Sequence, residues 1–347
     1  MPSSVTLSEC GIIVYNRGKK ILLDPKRLVP SDYIFVSHAH IDHLHRKSSD
    51  CMVGKILASK ATSLIANARG YAINNVHEEC DGFQLIDTGH ILGSKGLLMD
   101  LDLYYTGDIS IRERAFMKPA ALPKVHTLII ESTFGNPKYI FPSIDDVIHK
   151  TNKIISEMYD KGIPVILMGY PLGKAQLLTE FFGHWDPVYI HDAIHKMNFV
   201  YKELGIPLKS AVKFSTAERQ GLLAKKPWVM ISPLTHGRSD FITNMKEKYD
   251  AITIGFSGWA IDTRHKFMMG LDHMMPFSDH CDYRELVDVV KKCNPKKIIT
   301  FHGFSVDFAK VLRRLGFDAE SINDITLRDK RKPLSDNTLD KYISKVG

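Results

Sequence analysis

Cysteine is scarce in this chain and follows no recognisable site pattern. Among the 347 residues there are five cysteines, at positions 10, 51, 80, 281 and 293, and no C-x-x-C pair occurs. An odd and scattered set does not build a disulfide framework, and the chain is too long for a small stapled scaffold. We therefore expect a protein of the reducing cytoplasm.

Long apolar runs, repeats and low-complexity segments are missing as well. The apolar stretches at 127–130 and 165–168 fall far short of the roughly 18 residues that a membrane span needs. Positions 1–10 contain no basic start followed by an apolar segment, which is the pattern of a signal peptide. We expect neither a membrane span nor a signal peptide.

The composition is that of a folded chain with a basic balance. Hydrophobic residues make up 44% and charged residues 24%, which suits a protein that buries a sizeable core. Lys and Arg number 46 against 39 for Asp and Glu, a net charge of +7 that favours an anionic partner. Basic clusters at 291–297 and 328–332 add to this charge, although each could equally be solvated surface.

Short apolar runs alternate with helical patterns along the chain, which is typical of a layered α/β protein. Strands are predicted at 33–37, 97–105, 127–131 and 297–301. One helix is predicted from the capping Ser143 to Lys161, and another opens with a capping box of Asp282 and Glu285. The segment 175–269 repeats the alternation without a metal-type cluster, so we expect it to form a separate module.

The segment 37–43, Ser-His-Ala-His-Ile-Asp-His, carries the strongest chemical signal. It packs three imidazoles and a carboxylate into six residues directly after a predicted strand. In extended or turn geometry His38 and His40 point to one side, while Asp42 and His43 can reach a second position nearby. Mixed imidazole and carboxylate ligands suit zinc and leave positions open for water.

Two more candidate ligands stand in short segments of the same kind, and the second directly follows the strand predicted at 97–105. They are His90, in Thr-Gly-His-Ile-Leu-Gly-Ser at 88–94, and Asp108, in Tyr-Thr-Gly-Asp at 105–108. Each alone would be weak, because a single His is often a packed residue and an Asp after Gly often forms a turn. Together with segment 37–43 they predict a site for two metals.

At this point the sequence resembles the metallo-β-lactamase superfamily, whose H-x-H-x-D-H signature matches residues 38–43. Later segments resemble motifs of its β-CASP nucleases: 130–135 (Ile-Glu-Ser-Thr-Phe-Gly), 277–280 (Phe-Ser-Asp-His) and 301–303 (Phe-His-Gly). Within that family, segments 170–176 and 257–259 are most similar to ligase-associated DNA exonucleases and to archaeal relatives resembling mRNA 3′-end processing factors. The resemblance implies a four-layer αββα fold with an inserted α/β β-CASP cap.

Ligands before and after a ligand-free stretch predict that the two chain ends converge. We therefore expect a core of residues 1–137 and 269–347 and a cap of residues 138–268. The resemblance implies two Zn²⁺ ions, with Mn²⁺ as an alternative, bridged by Asp108. The ligands would be His38, His40 and His90 for one ion, and Asp42, His43 and His302 for the other.

The same resemblance implies that His280 donates a proton to the leaving group and that Glu131 orients it. Asp42 is counted among the catalytic residues as well. Lys174 follows a glycine at a predicted helix start, which suits phosphate binding, although packing is an equal alternative. Ser257 and Gly258 lie at another strand end and are further candidates for a phosphate contact.

The implied function is hydrolysis of single-stranded nucleic acid by a metal-dependent nuclease, in the first place a DNA exonuclease of repair. The alternative is an RNA-processing enzyme with endonuclease or 5′-exonuclease activity, since His302 matches both branches. A small-molecule metallo-hydrolase and a non-catalytic binding subunit are weaker alternatives. A functional association with a DNA ligase follows from the resemblance, and the sequence leaves the oligomeric state open.

Overall fold

The computed structural model of the chain describes residues 4–45 and 53–325. Two features singled out in the sequence, Cys51 and the basic cluster at 328–332, lie outside these residues. Three sheets and nine α-helices are present in the described ranges. No helix within these ranges is long and apolar enough to cross a membrane.

The first sheet has six strands that follow one another in sequence order. They are β1 (Ser4–Ser8), β2 (Gly11–Asn16), β3 (Lys19–Leu23), β4 (Ser31–Phe35), β5 (Val53–Leu57) and β6 (Val76–His77). β1 to β3 pair antiparallel, and β3 to β6 pair parallel. The carboxyl ends of β3 and β4 therefore meet at one edge of the sheet.

The second sheet has seven strands and joins distant parts of the chain. They are β7 (Glu79–Cys80), β8 (Phe83–Asp87), β9 (Lys95–Met99), β10 (Leu103–Tyr105), β11 (Thr127–Glu131), β18 (Lys297–Phe301) and β19 (Ala319–Ser321). β10, β11, β18 and β19 are mutually parallel neighbours. This pairing brings the segment after residue 297 beside the segment that ends at Glu131.

The two sheets pack face to face through a shared apolar core. Val14, Phe35, Leu97 and Phe301 are among the side chains buried between them. Helix α1 (Lys60–Ala68) covers the outer face of the first sheet, while α8 (Tyr283–Cys293) and α9 (Ser305–Arg314) cover the second. The order helix, sheet, sheet, helix confirms the predicted four-layer αββα fold.

The third sheet is wholly parallel and is covered by helices. Its strands are β12 (Val165–Gly169), β13 (Val188–Ile190), β14 (Val212–Lys213), β15 (Val229–Pro233), β16 (Ile252–Phe256) and β17 (His273–Met275). Its helices are α2 (Ile144–Asp160), α3 (Lys174–Phe182), α4 (Asp192–Glu203), α5 (Phe214–Arg219), α6 (Asp240–Tyr249) and α7 (Thr263–Met269). Apolar cores on both faces explain why its central strands are almost wholly hydrophobic.

The predicted boundaries at 137/138 and 268/269 stay a prediction, although the third sheet is built entirely from residues 165–275. Its last strand, His273–Met275, lies a few residues beyond the second boundary. Within the described residues, no cluster of possible metal ligands occurs in this module.

Local predictions for the first helix hold. Ser143 accepts a hydrogen bond from the Asp146 amide at the start of α2. Along one face of α2, Val147 and Ile155 are buried and Ile144, Ile148 and Met158 are partly buried in the apolar core beside the third sheet.

The capping box at the start of α8 also holds, since Asp282 and Glu285 each bond the other's backbone amide. The single strand predicted at 97–105 is wrong, because the chain turns at Asp100 and Leu101, which have positive φ. The result is the antiparallel pair of β9 and β10. Two aspartates, Asp100 and Asp102, mark that turn in the sequence.

Candidate metal centre and substrate cavity

The site lies where strands of the first two sheets end. His38, His40, Asp42 and His43 follow β4, and the last two belong to a short 3₁₀ turn, Ile41–His43. The loops after β8, β10 and β18 bring His90, Asp108 and His302, Glu131 is the last residue of β11, and His280 lies in the loop before α8. The predicted residues thus come together, although up to 264 positions separate them in the chain (302 − 38).

Three imidazoles of the predicted set face one oxygen of Asp108. His40 Nδ1 lies 3.0 Å from His38 Nε2 and 3.1 Å from His90 Nε2. The Oδ2 atom of Asp108 lies 3.4 Å from His38 Nε2 and 3.5 Å from His90 Nε2. The ligand atoms of these four residues all lie within 4.8 Å of one another, close enough to surround a single cation.

A second group faces the same carboxylate from the other side. His43 Nε2 lies 3.4 Å from Asp108 Oδ2, and His302 Nδ1 lies 3.9 Å from Asp108 Oδ1. Asp42 Oδ2 is 3.8 Å from His43 Nε2, with its side chain 72% exposed. Asp108 is common to both groups of atoms that could hold a metal ion, whereas Asp42 belongs to neither group, and the bridging role stays a prediction.

Two buried atoms in this cluster lack any hydrogen-bond partner within the described residues. They are Asp108 Oδ1 and His43 Nε2. A buried polar atom without a partner costs free energy, and a bound cation would satisfy both atoms at once. The chemistry of the donors, imidazole nitrogen and carboxylate oxygen, also fits zinc. The residues present therefore fit a metal centre.

The protonation states favour metal binding at the first group. Burial and neighbouring histidines hold the pKa values of His38 and His90 well below their usual range, so both imidazoles stay neutral ligands. Burial alone would raise the pKa of Asp108, but the nearby charges of His43 and His280 outweigh it and hold this pKa well below its usual range. Asp108 is therefore ionised.

Asp24 is a site residue that the sequence analysis missed. Its Oδ2 accepts hydrogen bonds from Ser37 Oγ at 2.6 Å and Tyr105 Oη at 2.8 Å, and lies 2.8 Å from His43 Nδ1. Because a carboxylate only accepts, Nδ1 donates its proton to Asp24, and Nε2 is the ring nitrogen that faces Asp108. Asp24 directly follows β3, so the rule that found His90 and Asp108, a polar residue after a strand, could have found it.

Glu131 and His280 form a close pair at the rim of the cluster. His280 Nδ1 donates to Glu131 Oε1 at 2.8 Å, and Glu131 also accepts from the amides of Ile109 and Thr133, both at 3.0 Å. The other nitrogen, His280 Nε2, lies 3.9 Å from Asp108 Oδ2. Burial lowers the pKa of His280, but Glu131 and Asp108 outweigh it and raise the pKa to about 9. A protonated Nε2–H therefore faces the centre.

Lys174 begins α3 as predicted, but its charge is already paired. Its Nζ lies 3.4 Å from Asp279 Oδ2, and its side chain is 3% exposed. The helix start is occupied too, because the Gly173 amide donates to Gln176 Oε1 at 2.7 Å. Sequence reasoning did not find this partner, which lies far away in the chain. A phosphate contact by Lys174 stays a prediction.

Arg114 completes a buried charge cluster with Lys174 and Asp279. Its Nη1 lies 3.7 Å from Asp279 Oδ1, and Nη2 donates to the carbonyl oxygens of Gly89 and His90. The Asp279 carbonyl in turn accepts from His90 Nδ1 at 3.0 Å. This cluster, Arg114–Asp279–Lys174, therefore holds the loop of His90 against the loop that leads to His280.

The predicted phosphate contacts Ser257 and Gly258 line the cavity, but their close contacts are internal. Ser257 Oγ accepts from the Trp259 amide at 3.3 Å and the residue is buried. A side chain at Gly258 would meet the Phe134 ring at 2.4 Å, so the close approach that requires glycine here is to that ring. Trp259 also packs on Phe134, with ring centroids 4.8 Å apart.

A cavity of about 470 Å³ opens onto the centre at the junction with the third-sheet module. Its lining joins metal-site residues with side chains of the module. They are His40, Ile41, Asp42, Arg69, Asp108, Thr133, Phe134, Tyr170, Pro171, Leu172, Lys174, Ser257, Gly258, Trp259, Ser278, Asp279, His280 and His302.

Comparison with known proteins agrees with this geometry. Residues 266–320 match the family described as "Zn-dependent metallo-hydrolase RNA specificity domain". A "Probable DNA ligase" of Opitutus terrae is 33% identical over 312 residues, covering 85% of this chain and 29% of that protein. An "RNase J-like protein" of Methanocaldococcus jannaschii is 24% identical over 369 residues, covering 86% of each chain.

A third relative is the "Transcription termination factor FttA" of Methanocaldococcus jannaschii, 27% identical over 296 residues. The alignment covers 67% of this chain and 47% of that protein, so the chain spans under half of it, and under a third of the ligase. Among solved structures, a protein of unknown function from Enterococcus faecalis V583 shares the fold. Its TM-score is 0.58 at 13% identity, covering 88% of this chain and 94% of that one.

The fold, the cluster around Asp108 and these relatives lead to one assignment. The described residues form a metal-binding cluster of histidines and an aspartate, and the matched family is zinc-dependent. The inserted parallel sheet supplies one wall of the cavity above that cluster. The chain belongs to the β-CASP family of the metallo-β-lactamase superfamily.

Proposed function

We propose that this protein is a dinuclear zinc nuclease that hydrolyses phosphodiester bonds in single-stranded nucleic acid. The observation that carries the proposal is the position of Asp108, whose carboxylate faces two groups of imidazoles and the His280 Nε2 atom. The candidate ligands of two metal ions and the candidate proton donor therefore surround one carboxylate. Names of relatives that contain "RNase" and "DNA ligase" support the same class of substrate.

The proposal assigns His38, His40 and His90 to one ion, and Asp42, His43 and His302 to the other. Asp108 would bridge them. Zinc is the first choice and Mn²⁺ the alternative. Two such ions supply Lewis acidity, which lowers the pKa of water and balances charge on a phosphodiester.

The proton for the leaving group comes from His280. Its Nδ1–H is held by Glu131, whose carboxylate also accepts hydrogen bonds from two backbone amides. That arrangement fixes the ring and favours its charged form, so Nε2–H is ready to protonate a departing alkoxide. Asp24 holds His43 in the tautomer that points Nε2 toward Asp108.

The substrate is proposed to enter between the core and a cap formed by residues 138–268. A cavity of about 470 Å³ at this junction suits an extended single strand more than a rigid duplex. Its lining residues Lys174, Ser257 and Gly258 remain candidates for the phosphate contact. The inserted module and the Glu131, His280 and His302 motifs argue against a small-molecule hydrolase, and a complete set of candidate ligands argues against a binding subunit.

For the polymer, DNA is the first proposal and RNA the alternative. The first proposal is a DNA exonuclease of repair that acts in the cytoplasm in association with a DNA ligase. The similarity to the "Probable DNA ligase" of Opitutus terrae supports the association with a ligase. The match of residues 266–320 to a family described as an RNA specificity domain is the observation that favours RNA processing.

The test uses single-stranded DNA and RNA of identical sequence, each labelled at the 5′ or the 3′ end. We expect cleavage that a chelator abolishes and that zinc or manganese restores, with about two ions per chain by metal analysis. The length of the first labelled product separates exonuclease from endonuclease and gives the polarity. Absence of cleavage on all four strands, or hydrolysis of thioesters instead, would reject the nuclease proposal.

A further inference from the structure

Arg69, which ends helix α1, lies in the wall of the cavity above the metal centre. One of its guanidinium nitrogens, Nη1, donates to the carbonyl oxygen of Ala39, the residue between His38 and His40. The guanidinium is therefore anchored on the loop that supplies the candidate ligands. An arginine has five N–H donors, and most of them remain available for a ligand in the cavity.

The charge of Arg69 differs from that of the other cations near the centre. Arg114 and Lys174 both lie beside Asp279, and Arg112 lies beside Asp282 and Glu285. Throughout residues 4–45 and 53–325, no carboxylate lies within 4.0 Å of the Arg69 guanidinium. Partial burial lowers its pKa and outweighs the opposite effect of the more distant Tyr71 and Asp42. A half-buried, unpaired guanidinium facing a cavity calls for an anion from outside.

Tyr170 lines the same cavity and offers an aromatic surface. The residue is 45% exposed, although the Lys174 ammonium lies 4.8 Å from its ring centroid. Lys174 thus covers one face of the ring through a cation–π contact, and the exposed part remains open to the cavity. Nucleic acid bases stack on aromatic rings of this kind without regard to sequence.

We propose that Arg69 and Tyr170 form a nucleotide subsite of this cavity, in which Arg69 binds a phosphate and Tyr170 stacks the adjoining base. The proposal rests on the proposed function and names the residues that hold the strand. The phosphate is either the 5′-terminal group or an internal backbone group. Guanidinium groups bind phosphate through two parallel hydrogen bonds, and this geometry distinguishes Arg69 from a lysine.

The main test compares Arg69→Gln and Arg69→Lys with the parent on labelled single strands. We expect KM to rise roughly 10- to 100-fold in Arg69→Gln, the effect of losing a hydrogen-bonded charge, with kcat within about threefold. The slope of log affinity against log salt should fall by about one. Arg69→Lys should recover the salt slope but not the full affinity. Arg17→Gln, an exposed residue paired with Asp100, serves as the matched control.

A 5′-phosphorylated and a 5′-hydroxyl strand identify the source of the phosphate. A penalty confined to the 5′-phosphorylated strand assigns Arg69 to the terminal group, and an equal penalty on both assigns it to an internal group. No penalty on either strand at low or high salt would overturn the phosphate assignment.

The stacking role of Tyr170 is tested with two variants. Tyr170→Phe should retain strand affinity, and Tyr170→Ala should lose roughly 10-fold in affinity, as expected for one stacked base. Equal affinities of the two variants would overturn the stacking role.

Two further measurements separate this subsite from the catalytic centre. The metal content should be unchanged in Arg69→Gln, because no ligand of the proposed metal centre is altered. Loss of metal in that variant would make Arg69 a support of the ligand loop and would overturn the proposal. Strand affinity is also measured by fluorescence anisotropy, so Arg69 is tested even if the parent cleaves nothing, which would reject only the nuclease function.

Discussion

Two buried polar clusters lie on either side of His90, and they differ in whether the chain itself supplies the cations that face the carboxylate. In the cluster Arg114–Asp279–Lys174, one carboxylate faces two cations that the chain itself supplies. Around Asp108, three or more imidazoles converge on one carboxylate, close enough to surround a cation. Both clusters contain buried atoms without a hydrogen-bond partner in the described residues: Asp108 Oδ1 and His43 Nε2 here, and Asp279 Oδ1 and Arg114 Nε in the first cluster. In the first cluster the cations are side chains of the protein, while the second cluster has the donor atoms that would bind a metal cation.

The difference separates a structural role from a ligand-binding role. Both clusters are buried and both contain residues far apart in sequence, so burial and charge alone do not distinguish them. The partners do, since Asp279 faces two cations of the chain, whereas the atoms that converge around Asp108 are imidazole nitrogens and a carboxylate oxygen, the donor types of a metal site. Four experiments can break or sharpen this distinction.

The largest effect is expected for Asp108→Ala. Because Asp108 is shared by both groups of candidate ligands, its removal should abolish cleavage and lower the metal content together. Metal analysis of the purified variant, with its activity on a labelled single strand, measures both. A variant that keeps the full metal content would contradict the bridging role.

His280→Ala should keep the metal and still be slow. The imidazole faces Asp108 but serves proton transfer, so kcat should fall by roughly 10² to 10⁴, the usual contribution of a general acid. A substrate whose leaving group is p-nitrophenolate needs little protonation and should lose much less. Loss of metal from His280→Ala would show that His280 is a ligand instead.

Asp279→Ala should damage stability, since it leaves two buried cations without their shared carboxylate. The free energy of unfolding should fall by about 3–5 kcal/mol, as for other broken buried ion pairs. Urea denaturation of the metal-free protein measures it. The control is Asp307→Ala, which removes an exposed partner of Lys310 and should cost about 0–1 kcal/mol. Equal costs for the two variants would refute the structural role.

The smallest effect is a pH dependence carried by His280. Its pKa in the folded chain is about 9, above the ordinary value of 6.5, so the folded state binds this proton more tightly. The stability it contributes is fully present below pH 6.5 and is lost as the pH rises through 9. We expect the parent without metal to exceed His280→Gln in the free energy of unfolding at pH 6 and to match it near pH 10. A difference that grows with pH would contradict the assigned charge.

Sequence patterns found the parts of the site whose signals are local. His38, His40 and His43 stand within six residues after a strand, and Ser143 lies directly before the helix it caps. The partner of Lys174 could not be found this way, because Asp279 reaches it only through the folded chain. Arg69 carries no motif, and only its position in the cavity wall distinguishes it from a surface arginine.

The parallel pairing of β11 with β18 determines how late in synthesis the site can form. Glu131 and His280 are 149 positions apart, and His90 bonds a carbonyl 189 positions later. A ribosome has therefore released most of the chain before the acid, its orienting carboxylate and the last candidate ligand can meet. A truncated product that ends before β18 would lack His302 and the strand beside Glu131, so interrupted synthesis should yield no active fragment.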